Sequence, residues 1–333
     1  MLEANSQGFV MAASAGSTEA SQSLLESVGL IGQHSYGLLD VRDIDTKDGA
    51  EHLVKLRNPW GAFEWRGDWS DSSSNWTPEL REELEVTDKN DGAFWMSFAD
   101  FCHYFSRVQI CRLNDNYKYV SYKADHDKGE YALIRMSIPQ DSLQYIGVSQ
   151  IDQRTFPRSS AYEYSAARLI VAKLDEESGE LEYLFGKMKV DRDLWEMYHF
   201  TEGEYLVYVE VDWQGEDTYP FVVSSYGEVE AYFIRDERYE HKNFLERTYI
   251  SCGKKTGKRI DFSSEGAPNC FKYTDMCQEG YGYVYFENMT DDATLKESVT
   301  YTRFENLELV KPFKGTNYEV NVPPGENLIV LLR

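Results

Sequence analysis

Two residues near the start of the chain have the types needed for acid/base chemistry at a thiol. His34 opens the apolar run Gln33-His34-Ser35-Tyr36-Gly37-Leu38-Leu39, and Asn58 ends the run Val54-Lys55-Leu56-Arg57-Asn58. Catalysis by a cysteine nucleophile requires a thiolate, an imidazole beside it, and an amide or carboxylate that fixes the imidazole's orientation. His34 and Asn58 supply the last two. Adjacent antiparallel strands would bring them together, with Asn58 accepting from the imidazole N–H. Trp60 would then cover that bond and keep water from it, which strengthens a hydrogen bond. By spacing alone His34 also reads as a surface or core histidine, and the five cysteines, Cys102, Cys111, Cys252, Cys270 and Cys277, all follow it.

The elements that must position this pair are short strands. Gly37 to Val41 and His52 to Leu56 read as a hairpin closed by the charged turn Asp43 to Gly49. Further on, Phe94, Phe98, Phe101, Cys102 and Phe105 recur at helical spacing and predict a helix with Cys102 buried on its apolar face. Trp60, Trp65, Trp69, Trp76 and Trp95, five of the seven tryptophans, fall in the same stretch and mark it as one unit.

From Tyr117 the period changes to two. Tyr205, Val207, Val209, Val211 and Trp213 alternate onto one face of a strand, and similar runs occur at Tyr131 to Ile138, Tyr145 to Ile151, Ala167 to Leu174, Leu181 to Val190 and Phe221 to Tyr226. Polar turns between them predict an antiparallel sandwich. A second set follows at Tyr281 to Phe286, Val299 to Phe304 and Leu328 to Leu332. Glu202-Gly203-Glu204 and Pro324-Gly325-Glu326 each feed an apolar run, which suggests two related copies, the second ending at Arg333 short of at least one closing strand.

Composition narrows the partners. With 34 basic and 57 acidic residues the net charge is −23, against a protein that neutralises phosphates, so nucleic acid and a bare anionic membrane are not expected. The sequence contains 42% hydrophobic and 14% aromatic residues, enough for buried cores. No apolar stretch approaches a transmembrane span. The five cysteines lack CxxC spacing, so neither a disulfide framework nor a zinc site is expected; reduced thiols fit a cytoplasmic setting. Two N-x-T matches, at Asn75 and Asn288, carry no weight by themselves.

The longer pattern is specific. Gln33-His34-Ser35-Tyr36, then Val54-Lys55-Leu56-Arg57-Asn58-Pro59-Trp60-Gly61, then Glu64-Trp65, Gly67-Asp68-Trp69-Ser70-Asp71, and Asp91-Gly92-Ala93-Phe94-Trp95-Met96-Ser97-Phe98 closely resemble the second half of the calpain protease core, over roughly residues 8 to 113. The resemblance implies His34 as catalytic histidine, Asn58 as catalytic asparagine and Trp60 as their shield. It also implies a calcium site from Glu64, Asp71, Asp91 and the carbonyl of Lys89, weakened because Ala93 stands where calpains usually carry a glutamate.

The expected fold is therefore an α+β papain-like half-domain over residues 1–115, mainly antiparallel β with a few helices. A C2-like calpain β-sandwich would follow over 116–236, and a second, truncated one over 237–333. In calpains the nucleophilic cysteine lies in an earlier half-domain. The expected protein is thus a piece of a calcium-dependent cysteine endopeptidase, inactive alone, whose partners are protein substrates and the missing Cys-bearing half-domain. Phospholipid or protein contacts through the sandwiches are a further expectation. The alternative is a non-catalytic calpain-like scaffold; a transglutaminase-type acyltransferase fits less well, since it usually carries Asp in place of Asn58.

Overall fold

The structure, a computed structural model, describes residues 1–16, 19–47, 49–215, 217–235, 241–301 and 307–333. The last part of the expected strand Val299 to Phe304 and the start of the expected segment 237–333 lie outside the described residues. The chain divides into two units, Met1–Asn116 and Tyr117–Arg333.

The first unit contains α1 (Leu2–Ser6), β1 (Val10–Ala15), α2 (Glu19–Ser27), β2 (Ser35–Thr46), β3 (Gly49–Arg57), α3 (Pro78–Glu83), β4 (Ala93–Ser97), α4 (Phe98–Tyr104) and β5 (Phe105–Cys111). Its strands form one antiparallel sheet in the order β4-β3-β2-β1-β5. The expected hairpin is present but longer. The charged stretch is largely ladder, Asp43 pairing with His52 and Thr46 with Gly49. Polar partners make that possible: His52 Nδ1 lies 2.6 Å from Asp43 Oδ1, and the Thr46 hydroxyl donates to the Gly49 carbonyl at 2.8 Å. Such cross-strand pairs stabilise a sheet where no apolar face does.

The predicted helix near residue 100 is shorter than its apolar spacing suggests. Phe94 belongs to β4, and Ser97 caps α4 by accepting from the Asp100 N–H at 3.0 Å. Phe101 and Phe105 are buried and stack with ring centres 4.9 Å apart. Cys102, expected to be buried, is exposed. One residue corresponds to about 100° of helix rotation, so burying Phe101 turns Cys102 to solvent.

In the second unit, β6 (Lys118–Ala124), β7 (Ala132–Ile138), β8 (Ser142–Ser149), β9 (Ala166–Leu174), β10 (Leu181–Val190), β11 (Asp193–Phe200), β12 (Gly203–Asp212), β13 (Phe221–Gly227) and β14 (Tyr232–Arg235) form two antiparallel sheets. Their orders are β10-β9-β12-β7-β14 and β11-β8-β13-β6. Ile134, Ile146, Leu169, Val207 and Val223, from both sheets, share one buried cluster. Then come α5 (His241–Thr256), β15 (Lys258–Asp261), β16 (Cys270–Met276), β17 (Gly282–Asn288), β18 (Leu295–Thr300), β19 (Asn317–Val322) and β20 (Asn327–Leu332). They give a sheet ordered β15-β16-β17-β20 and a ribbon β18-β19, around a core that includes Phe286, Val320 and Val330.

The strand β12 departs from the expected half-buried pattern: Tyr205 to Val211 is buried on both faces. Tyr205, Val207 and Val209 face the first core, whereas Leu206 and Tyr208 pack with Phe244 and Tyr249 of α5 and Tyr281 and Tyr283. The helix α5 explains the second face. The basic residues at its end are engaged within the unit: Lys254 pairs with Glu287 at 2.9 Å, Lys255 with Glu182, and Arg259 sits over the Phe271 ring. Asn288, one of the two N-x-T matches, is a buried structural amide; its nitrogen donates to the carbonyls of Ala293, Val322 and Pro323.

Candidate active site

The hairpin brings His34 and Asn58 together. His34 immediately precedes β2 and Asn58 immediately follows β3, and these strands are paired, so both residues stand at the same end of the hairpin. His34 Nε2 lies 2.9 Å from Asn58 Oδ1. The amide is fully buried and its orientation is fixed by backbone groups that can play only one role. The Trp60 N–H must donate, and it lies 3.1 Å from Oδ1; the Ala62 carbonyl must accept, and it lies 2.7 Å from Nδ2. Oδ1 is therefore the oxygen, and His34 Nε2 must carry a proton to bond to it. In the neutral ring this leaves the lone pair on Nδ1, the nitrogen turned away from Asn58.

Three further features hold this arrangement. The Asn58 N–H donates to the Gly92 carbonyl at 2.8 Å, and Gly92 has φ +86 with no room for a side chain, since a Cβ there would lie 2.6 Å from the Asn58 carbonyl oxygen. Tyr36, buried beneath the imidazole with ring centres 5.1 Å apart, accepts the Ile31 N–H at 2.8 Å through its hydroxyl and so ties down the segment leading to His34. Burial raises the Tyr36 phenol above its ordinary value, so it stays protonated. Gln33 and Phe63, flanking the two site residues, have φ of 52° and 65°. Non-glycine residues in that region cost about 1 kcal/mol or more and persist only where the surroundings hold them. Sequence spacing does not reveal Tyr36 or Gly92 in these roles; the one signal is that both belong to the same motif segments.

Trp60 lies against His34 with ring centres 4.5 Å apart and planes inclined by 44°, and remains 62% exposed. The indole covers one side of the imidazole and presents its own outer face to solvent.

Residues 1–112 match the family profile described as calpain family cysteine protease. Human Calpain-14 is 46% identical over 98 residues, which are 29% of this chain and 14% of that protein. The chicken Calpain-1 catalytic subunit is 46% identical over 87 residues, covering 25% and 12%. The maize Calpain-type cysteine protease DEK1 is 36% identical over 115 residues, covering 34% and 5%.

The segment 1–112 is similar to calpain-family cysteine proteases.

The chain spans only a small part of these calpains, 14% or less of each. A solved structure of a Yersinia pseudotuberculosis-derived mitogen aligns over 37% of the chain and 90% of its own at 9% identity with a TM-score of 0.23.

The two cysteines of the calpain segment do not serve His34 in this structure. Cys111 pairs with Val10, whereas the His34 carbonyl accepts from Ala15 at the other end of β1. Five strand residues correspond to roughly 17 Å. Cys102 is exposed on α4, and no hydrogen bond among the described residues joins either thiol to His34.

Glu64 and Asp71 line a cavity of about 760 Å³ together with Asp88 and Lys89 among others. Glu64 Oε1 accepts the Gly92 N–H at 2.7 Å, and Asp91 Oδ1 accepts the Ala93 N–H at 3.0 Å. Partial burial pushes the Asp71 carboxyl up to about 6, with the charges of Glu64, Asp88 and Asp91 adding to the rise and Arg81 opposing it. The Lys89 carbonyl accepts the Asp91 N–H at 2.9 Å. Among the described residues no three His, Cys, Asp or Glu side chains converge as a metal-binding group. The oxygens and their mutual repulsion suit a hard cation, whereas their present directions, toward backbone N–H groups, do not yet form its coordination shell.

No helix among the described residues is long and apolar enough to cross a membrane.

Proposed function

We propose that this chain is the histidine/asparagine part of a calpain-type cysteine endopeptidase acting on protein substrates, with the nucleophilic thiol supplied by a Cys-bearing half-domain. The observation that carries this reading is the Nε2–H to Asn58 hydrogen bond, which leaves Nδ1 as the proton-accepting nitrogen. In that reading His34 Nδ1 takes the proton of an approaching thiol and returns it to the leaving amine, while Asn58 holds the ring plane and Trp60 keeps water off the Nε2–H bond. Asn58 and Trp60 act through His34 and are positioning residues. The chain alone has no peptidase activity, because neither Cys102 nor Cys111 serves the imidazole.

Calcium fits as a regulator bound by Glu64, Asp71, Asp91 and the Lys89 carbonyl, affinity being lowered by Ala93. The second unit is read as C2-like sandwich structure offering protein or phospholipid contacts, in a cytoplasmic protein.

The test is peptidase assay of the chain with a fluorogenic peptide, alone and with an added Cys-bearing calpain half-domain. The expected result is no turnover alone, and turnover on mixing that His34→Ala abolishes and Asn58→Ala reduces by about 10²-fold or more. Turnover by the chain alone, or mixed activity that survives His34→Ala, overturns the assignment.

A further inference from the structure

The second unit holds a cavity of about 480 Å³ where β12, α5 and β20 approach one another. Tyr208 and Glu210 of β12, Leu245 of α5, and Ile329 and Leu331 of β20 line it. Small-molecule sites occupy about 300–1,000 Å³ and combine apolar walls with a few convergent polar groups. The walls here are rich in rings. Tyr131, Tyr208, Tyr281 and Phe313 all contribute, the Tyr131 and Tyr208 ring centres lying 4.2 Å apart. A tyrosine face attracts cations, and Tyr281 already has one, the Arg168 guanidinium 5.7 Å from its ring centre.

The polar groups among these rings are acceptors. Glu210 is 2% exposed, and its Oε2 accepts the Tyr208 and Tyr281 hydroxyls at 3.0 and 2.9 Å. A phenol has one proton, so with both protons given to Glu210 these two oxygens can only accept from anything else. Arg333 is held by carboxylates, Nη1 lying 2.9 Å from Glu210 and Nη2 2.8 Å from Asp212. Arg168 lies 3.5 and 2.6 Å from the same two acids. Two arginines therefore balance two carboxylates, and this group is neutral as a whole. Among the described residues the other charges lining the cavity are Glu130 and Glu246 against Lys311, an excess of one negative charge in a chain of net −23. Burial raises the Tyr131 phenol, with Tyr281, Glu130 and Glu210 adding to the rise, so this ring stays neutral.

We propose that this cavity binds an organic ammonium group carried on an apolar body. The tyrosine rings attract the charge, the phenol and carboxylate oxygens accept its N–H protons, and Leu245, Ile329 and Leu331 take the body. Two sources offer this chemistry, a free amine and a lysine side chain. An anion of the same shape meets Glu130 and Glu246, and an uncharged analogue forgoes the attraction of the rings. The site lies outside the calpain-like segment and does not depend on the peptidase reading.

The test titrates the full chain, labelled at its isoleucine, leucine and valine methyl groups, at pH 7 and follows the methyl signals by NMR. The probes are phenethylamine, its uncharged analogue phenethyl alcohol, its anionic analogue phenylacetate, and Nα-acetyl-lysine methylamide. Phenethylamine is expected to give saturable shifts at Ile329 and Leu331, the alcohol to bind about tenfold more weakly, and phenylacetate to give no saturable shift. Glu130→Gln, at an exposed position, weakens the amine several-fold and leaves the alcohol unchanged. A lysine amide that binds as tightly as phenethylamine supports the site with a protein lysine as its source; one that binds more weakly supports it with a free amine. No saturation at these methyls by either ammonium probe at about 20 mM, or an alcohol or phenylacetate that binds as tightly as phenethylamine, overturns the proposal.

Discussion

Replacing Asp71 by asparagine should stabilise the calpain segment when no metal is present, and the size of the effect follows from its surroundings. The carboxyl is raised from 3.8 to about 6, first by partial burial and then by the charges of Glu64, Asp88 and Asp91. A carboxyl raised by folding favours the folded state fully below pH 3.8 and loses that advantage as pH rises through 6. At neutral pH the ionised group therefore opposes folding by at most about 3 kcal/mol. It is partly solvated, and screening reduces this to about 1–2 kcal/mol. The Asp71→Asn chain, in chelator at pH 7.5, should show a first-unit transition roughly 4–8 °C higher by scanning calorimetry. At pH 4.5 the same linkage leaves about a third of the difference. With millimolar calcium the wild-type chain should gain more than the variant. An unchanged transition at pH 7.5 in chelator, or a gain that is the same at pH 4.5, would refute the electrostatic account.

Three other perturbations test the scaffold. Tyr36→Phe removes the acceptor of the Ile31 N–H and should cost about 1 kcal/mol in denaturant unfolding, with a change in the His34 ring nitrogen shifts by NMR. Gly92→Ala places a Cβ 2.6 Å from the Asn58 carbonyl at φ +86, and should cost about 2–4 kcal/mol by the same measurement. In the second unit Arg168 pairs with Asp212 at 2.6 Å and approaches Glu210 at 3.5 Å, all within a largely buried group that includes Arg333. Arg168→Ala should lower the second-unit stability by about 1–3 kcal/mol, because Glu210 and Asp212 lose one charged partner while Arg333 stays paired with both.

Much of the first unit was legible because its signals are local. Alternating apolar residues around Leu38 and Leu56 fix a hairpin, and the hairpin alone places positions 34 and 58 at one end. Tyr36 and Gly92 were not legible as supports, since a phenol accepting a backbone proton from five residues earlier leaves no periodic trace. Cys102 was misplaced because a run of phenylalanines at helical spacing crosses the junction of β4 and α4. In the second unit the strands fall largely where apolar runs predict them, although β9 and β12 are buried on both faces. The helix α5 was legible but not read: Phe244, Leu245, Tyr249 and Cys252 fall on one helical face, in a segment otherwise rich in charged residues. Without α5 the second buried face of β12 had no visible partner.

The side chain at 58 has no spare valence. Its oxygen receives the imidazole and the Trp60 N–H, and its nitrogen gives protons toward the Ala62 and Phe63 carbonyls, at 2.7 and 3.4 Å. An aspartate would aim a negative oxygen at two carbonyl oxygens, so the turn at 61–63 would have to be rebuilt before a carboxylate could occupy this place. The choice of amide over acid is thus written into the loop that follows.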